Sequence, residues 1–391
     1  MNVQEVYLRI KQLFEEIRST EIKSAARKAD DHVSWTRRRN MPLDDILICT
    51  LAKKGLSAVI EIRQFFQSAG KVEQTVSKQD YFKQRQNLNP EVFKLLNQNY
   101  LKRFYNGQEA EGWLGYLVMA VDGSRAEIPN SEENRQVYGE SINQCDKSVA
   151  RANISVLHDV FNRFILDIGI HHYCDSEIEE AKAHITILKE TVTERPVLIM
   201  FDRNYASLEF VHFLEKSGVK YLIRLHERDF KAERAQMHST DEEVEIAHTP
   251  SRIRHIRLKF PEQAKELEKR KSTKVRIIKA KLDNGERVAF MTNLGEGSTQ
   301  EIQQLYRKRW MIEQKYHTLK NKLKFESVTG KASIYVKQDF WAQMIVFNMV
   351  QDLITAAQMR VSRKAEKNNT SMRYVLTRTS QLGCLRKNLS G

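Results

Sequence analysis

The stretch "PVLIMFDRNY", residues 196–205, holds five apolar residues in a row and then stops on an aspartate. A run this short, bounded by Pro196 and a polar turn, reads as a buried strand ending at Asp202. A second stretch of the same design lies upstream. "YLVMAVDGS", 116–124, is apolar up to Asp122 and reads as a buried strand that stops at Asp122-Gly123. Between the two, "NISVLHDV" (153–160) and "RFILDIGI" (163–170) flank Phe161-Asn162 and predict a hairpin. "SEIEEAKAHITILKE" (176–190) predicts a helix, with Ser176 and Glu179 at capping-box spacing. "SLEFVHFLEKSG" predicts a helix closed by Gly218, and "KYLIRL" a further strand. Strand, hairpin, helix, strand, helix, strand makes an α/β core with a mixed sheet.

The flanks divide the chain. Residues 1–110 carry apolar residues at helical spacing and predict a helical N-terminal domain, with Asn89-Pro90 opening one helix. Residues 111–224 form the first part of the α/β core. Residues 225–298 are polar and charged, with "EVEIAH", "TKVRIIKAKL" and "ERVAFMTNL" as strands and Asp283-Asn284-Gly285 as a tight turn. They predict a mostly β insertion. "GEGSTQE" (295–301) lacks the Lys-Ser/Thr of a phosphate loop and reads as a capping box, Ser298 with Glu301. Residues 299–350 complete the core, and 351–391 read as a basic tail.

A third carboxylate sits in "LYRKRWMIEQKYHTLK", 305–320, a basic helix with Glu313 in its middle. At about 100° per residue, Arg309, Glu313 and Lys320 fall near 300°, 340° and 320° from Tyr306. They form one stripe beside an apolar sector of Leu305, Ile312, Tyr316, Leu319 and Leu323. That sector would pack on the sheet and let the stripe overlook the edge carrying the aspartates. An Asp-Gly pair is equally a common turn, but a ligand-facing strand end is where an α/β sheet presents side chains. Clustered carboxylates call for a compensating divalent cation. Two such ions about 3.5–4 Å apart would activate water or a 3′-hydroxyl on a phosphodiester. An all-oxygen ligand set favours Mg²⁺. Arg309 and Lys320 would hold flanking phosphates and Tyr306 would hydrogen-bond one.

Bulk composition agrees with a polyanionic partner. Lys plus Arg outnumber Asp plus Glu 64 to 50, net +14, in 391 residues that are 41% hydrophobic and 29% charged. Ribosomal, membrane-surface and heparin-type binding would fit that charge equally well. Basic and aromatic residues interleave in "SWTRRRN" (Arg37, Arg38, Arg39) and "DYFKQRQNL" (Arg85). These read either as solvated helix faces or as phosphate contacts of a helical DNA-binding module. Four scattered cysteines with no CxxC pair argue against a zinc ribbon or a disulfide scaffold and suit a reducing cytosol. No apolar run reaches the ~18–20 residues of a membrane span, so no membrane association is expected.

These residues resemble one family. Tyr306-x2-Arg309-x3-Glu313-x6-Lys320 looks like the Y-R-E-K motif of the IS-four group of bacterial insertion-sequence transposases. Asp122-Gly123-Ser124 and Asp202-Arg203-Asn204-Tyr205 look like its two aspartate motifs, with Asn204 where Gly is usual. The resemblance implies an RNase H-like catalytic core and a DDE transposase in which Asp122, Asp202 and Glu313 hold two Mg²⁺ ions, with Mn²⁺ able to substitute. It implies cut-and-paste chemistry: nicking at the transposon ends, a hairpin intermediate in many members, and 3′-hydroxyl attack on target DNA. The partners implied are terminal inverted repeats, bound by residues 1–110, target DNA, and a second subunit in a synaptic homodimer. The setting implied is a bacterial cytoplasm, at the nucleoid. Arg203 and Tyr205 would join the DNA contacts. Trp310, with Phe230, Phe260 or Phe290, would stack a flipped base. Two other readings stay open: a nuclease or resolvase of the same fold, and a catalytically silent DNA-binding descendant.

Overall fold

A computed structural model describes residues 3–367, apart from 30, 32, 37–38, 108–109, 143–146, 283–284 and 310–327. Its centre is a nine-stranded mixed sheet. The strands are β1 (Leu117–Glu127), β2 (Glu140–Ile142), β3 (Ser148–Asp159), β4 (Ile165–His172), β5 (Val197–Phe201), β6 (Lys220–Leu225), β7 (Asp241–Ala247), β8 (Ser272–Lys281) and β9 (Arg287–Thr292). They run in the order β2-β3-β1-β5-β6-β9-β8-β7, with β4 also paired to β3. β1, β5 and β6 are mutually parallel, and the remaining ladders are antiparallel.

Alternation along the parallel strands splits the core into two layers. Leu117, Met119, Val121, Ile199, Phe201, Tyr221 and Ile223 face one side and merge with the cores of the N-terminal helices and the long helix Ser333–Lys367. Val118, Ala120, Leu198, Met200 and Leu222 face the other, with Val288 and Phe290 of β9. The helix Thr299–Arg309 covers that second face through Ile302, Leu305 and Tyr306. Ser298 and Glu301 start it with the expected reciprocal capping bonds, 3.3 Å and 2.8 Å.

Buried polar clips tie the first layer together. Asp339 accepts from Arg85 Nη2 at 2.7 Å, Lys53 Nζ at 2.5 Å and the Thr329 N–H at 2.6 Å. Arg9 reaches Asp352 with two bonds, 3.0 and 2.9 Å, and the Tyr100 hydroxyl adds a third at 2.7 Å. The N-terminal helices therefore share one continuous core with the C-terminal helix and the sheet.

Several expectations are corrected. β1 does not stop at Asp122-Gly123; the β3 partner carries pairing on to Glu127, overriding the local turn cue. Ser176 precedes the helix Glu177–Thr191, but its side chain makes no capping bond. The segment between β6 and the helix Thr299–Arg309 is mixed rather than mostly β. Helix Lys231–Gln236 precedes β7, and helices Pro250–Lys259 and Pro261–Arg270 lie between β7 and β8. The last two start at proline, preorganised for a first turn, and bury only Ile253, Ile256, Ala264 and Leu267, too few for a clear apolar stripe. The boundary expected at 350/351 falls inside Ser333–Lys367, where Gln351, Asp352, Ile354 and Ala356 are buried. The hairpin of β3 and β4 and the helix Leu208–Lys216 before Gly218 (φ +70°) are as expected. Among the described residues no helix is long and apolar enough to cross a membrane.

Candidate active site

The parallel ladder of β1 and β5 puts Ala120 opposite Met200. Asp122 and Asp202 lie two residues beyond that pair on each chain, so both belong to the face that Ala120 and Met200 share. Asp202 leaves the strand as the cap of a single turn, Arg203–Tyr205, its Oδ1 accepting the Arg203 N–H at 2.6 Å. The same face lies under the helix Thr299–Arg309, and its last residue reaches back. Arg309 Nη1 stands 3.5 Å from Asp122 Oδ1, with the arginine only 5% exposed.

Electrostatics bind the three groups into one unit. Burial alone would discourage charge on Arg309, but Tyr306, Asp122 and Asp202 outweigh it and its pKa is raised. The Tyr306 hydroxyl donates to the Phe201 carbonyl at 3.1 Å, one residue before Asp202. Burial pushes its phenol up to about 12. Its ring packs on Phe290, centroids 4.8 Å apart, and the Arg309 guanidinium lies 5.5 Å over it. The Arg309 Nε and the Tyr205 hydroxyl are buried with no hydrogen-bond partner among the described residues.

Nothing in the sequence points to Glu177, yet the fold brings it to the site. A Cβ built on Gly123 would lie 3.1 Å from its Oε1, so the carboxylate packs against the backbone beside Asp122. Tyr205, 1% exposed, lies in the joint field of Glu177, Asp122 and Asp202; burial first, then these acids, raise its pKa. In the sequence Glu177 is one of several acids at a helix start, the usual complement to the helix dipole, and nothing separates it from Glu179 or Glu180.

The other site candidates divide. Glu313, Trp310, Lys320, Arg37 and Arg38 lie outside the described residues. Arg39 and Arg203 are exposed. Arg85 is corrected: it is fully buried on Asp339 and offers nothing to a phosphate. Tyr205 is likewise buried, so its expected DNA contact is corrected to a place beneath the carboxylates. Tyr306 spends its hydroxyl on Phe201, which makes it a brace between the helix and β5 rather than a phosphate donor. Phe290, 1% exposed under Tyr306, cannot stack a base, whereas Phe230 and Phe260 are partly buried with Arg252 and Lys182 over their rings.

Among the described residues no group of three His, Cys, Asp or Glu side chains could hold a metal ion. Asp122 and Asp202 supply an all-oxygen pair of the kind Mg²⁺ or Mn²⁺ takes, with Glu313 the expected third donor.

Fold and site thus define a mixed α/β protein with two carboxylates just beyond the last pair of the parallel β1/β5 ladder, beneath an arginine-bearing helix. The family model "Transposase DDE domain" matches residues 113–349, which span β1 to the middle of the last helix, and the chain belongs to that family. Among solved structures it is similar to one described as the cryo-EM structure of the piggyBac transposase synaptic complex with hairpin DNA. That match has 9% identity and a TM-score of 0.49, over 97% of this chain and 79% of that one. No curated protein matches the chain.

Proposed function

We propose that the chain is a cut-and-paste DDE transposase of the IS-four group, cutting DNA at transposon ends and joining them to a target. One observation carries the proposal: the β1/β5 register brings Asp122 and Asp202 to one sheet face, where Arg309 of the Y-R-E-K segment pairs with Asp122. The strand order β4-β3-β1-β5-β6, three antiparallel then two parallel, supports an RNase H-like core, with the segment from His226 to Ser298 as an insertion adding β9, β8 and β7 to its edge.

In this reading Asp122, Asp202 and Glu313 are the ligands of two Mg²⁺ ions. Bound, the ions would activate water or a 3′-hydroxyl and stabilise the oxygen that leaves. The chain's own residues set the stage. Tyr306 anchors the helix to the β5 carbonyl immediately before Asp202. Arg309, held charged by Tyr306, Asp122 and Asp202, keeps its fork beside the acids, where it can also take a phosphate oxygen. In the first step water attacks phosphorus and the P–O3′ bond breaks, leaving a 3′-hydroxyl and a 5′-phosphate. In the second that hydroxyl attacks another phosphodiester, forming one P–O bond as another breaks. The opposite strand serves first, giving a hairpin end; water then opens the hairpin and regenerates the 3′-hydroxyl, which attacks target DNA later. Two subunits would hold the two ends in a synaptic homodimer, and residues 1–110 would bind the terminal repeats.

The test is excision, in cells, of a marker set between the gene's own flanking DNA. Wild type should excise, whereas Asp202→Asn and Glu313→Gln should bind the ends without excising. Equal excision by all three would reject the assignment; end binding without excision by wild type would favour the silent DNA-binding reading.

A further inference from the structure

One strand away from Asp202 the surface opens into a groove of about 720 Å³, lined by Arg203, Arg224, His226, Arg228 and Arg287 with Glu227 and Glu286. We infer that this groove is a separate binding site for the sugar-phosphate backbone of a DNA strand leaving the two aspartates, an inference that rests on the DNA-cutting reading above.

Position comes first. Arg203 follows Asp202 directly and donates its N–H to that carboxylate, so the groove begins where the candidate site ends. Arg224 lies opposite Phe290 in the β6/β9 ladder, on the face that carries Leu222, Met200 and the aspartates. Its charge is felt at Tyr306, so the groove and the site share one field.

The lining decides the ligand class. Arg203, Arg224, Arg228 and Arg287 line the groove with His226, Glu227 and Glu286, and only two of its lining side chains, Leu225 and Val288, are apolar. A pocket for an apolar small molecule would reverse those proportions. No tyrosine, tryptophan or phenylalanine lines the groove, which leaves the His226 ring as its one aromatic face for a base. Phosphate is the remaining match, because the planar fork of arginine binds its oxygens in pairs. One of the two glutamates fits this reading in a specific way. Glu286 pairs with Arg224, taking the place a phosphate oxygen would occupy. Arg228 and Arg287 are exposed and lie on opposite segments, after β6 and at the start of β9.

The test is fluorescence anisotropy of the full chain with a 30-nucleotide probe, single-stranded and duplex, across a salt series. For every phosphate that the protein ceases to neutralise, the log–log salt slope should fall by about 0.9 on duplex and about 0.7 on single strands. Arg228→Ala/Arg287→Ala should lower it by nearly twice that step, and Lys189→Ala, an exposed change outside the groove, by less than one step. Glu286→Gln should bind several-fold more tightly than wild type, an outcome that a merely structural role for the arginines would not give. A fall in slope confined to one probe form identifies whether duplex or single-stranded DNA runs in the groove. Wild-type binding with unchanged slopes in the double variant would overturn the groove and leave the catalytic reading standing. No wild-type binding to either probe would overturn both.

Discussion

Two buried arginines face two aspartates in this protein, and they are built differently. Arg85 and Asp339 meet at 2.7 Å, with Lys53 and the Thr329 N–H completing the carboxylate's shell and neither partner more than 2% exposed. Arg309 and Asp122 stand 3.5 Å apart, and Asp122 is 20% exposed. The first pair is closed and joins residues 254 positions apart into one core. The second is longer and partly open to solvent, just past the end of the β1/β5 ladder. Pairs of the first kind hold a fold; the second leaves its carboxylate able to exchange partners.

Breaking each pair should therefore cost different things. The largest effect is expected at the open site. Asp122→Asn and Asp202→Asn each remove a ligand charge, and each should lower DNA cleavage by several kcal/mol of barrier, roughly 10³-fold or more. Their melting temperatures should stay at or above the wild-type value, read by calorimetry. A comparable fall in melting temperature would make both aspartates structural.

Next in size is the closed site. Asp339→Ala strands Arg85 and Lys53 without their counter-charge and should destabilise the protein by about 3–5 kcal/mol in denaturant unfolding. Burial opposes charge on Asp339, but Arg85 and Lys53 outweigh it and hold its pKa below the usual carboxylate value. A depressed folded-state pKa adds stability above the unfolded value and loses it as pH falls through the folded one. The stability gap between wild type and Asp339→Asn should accordingly close as pH drops below about 4. A gap that widened in acid would show that the pair is not ionised.

Arg309→Lys keeps the charge and loses the fork, so it should slow cleavage by about 10–100-fold with little change in stability. The smallest change is expected for Tyr306→Phe. It removes one hydrogen bond to the Phe201 carbonyl, about 1 kcal/mol, and should leave half or more of the activity if the hydroxyl is a brace and not a phosphate ligand.

The contrast also explains what can be read from the chain alone. The strands leading to Asp122 and Asp202 are legible because five or six apolar residues in a row have few other uses. The face shared by Tyr306 and Arg309 follows from helical spacing alone. Arg85 misleads because a basic stretch next to aromatics looks alike whether it meets phosphate or a buried Asp339 from 254 residues away. β1 runs past Asp122-Gly123 because antiparallel pairing with β3 is non-local. Glu177 is hidden among helix-start acids, since its approach to Gly123 depends on how β4 and its following helix return to β1. The arginine groove is invisible for the same reason: its lining comes from three separate segments.

The most direct measurement is calorimetric titration of the full chain with Mn²⁺, comparing wild type, Asp122→Asn, Asp202→Asn and the double variant. We predict that each single change abolishes most of the wild-type binding and that the double is scarcely worse, because the two carboxylates serve one site. Undiminished binding in both singles, or losses that simply add, would contradict a shared site on the β1/β5 edge.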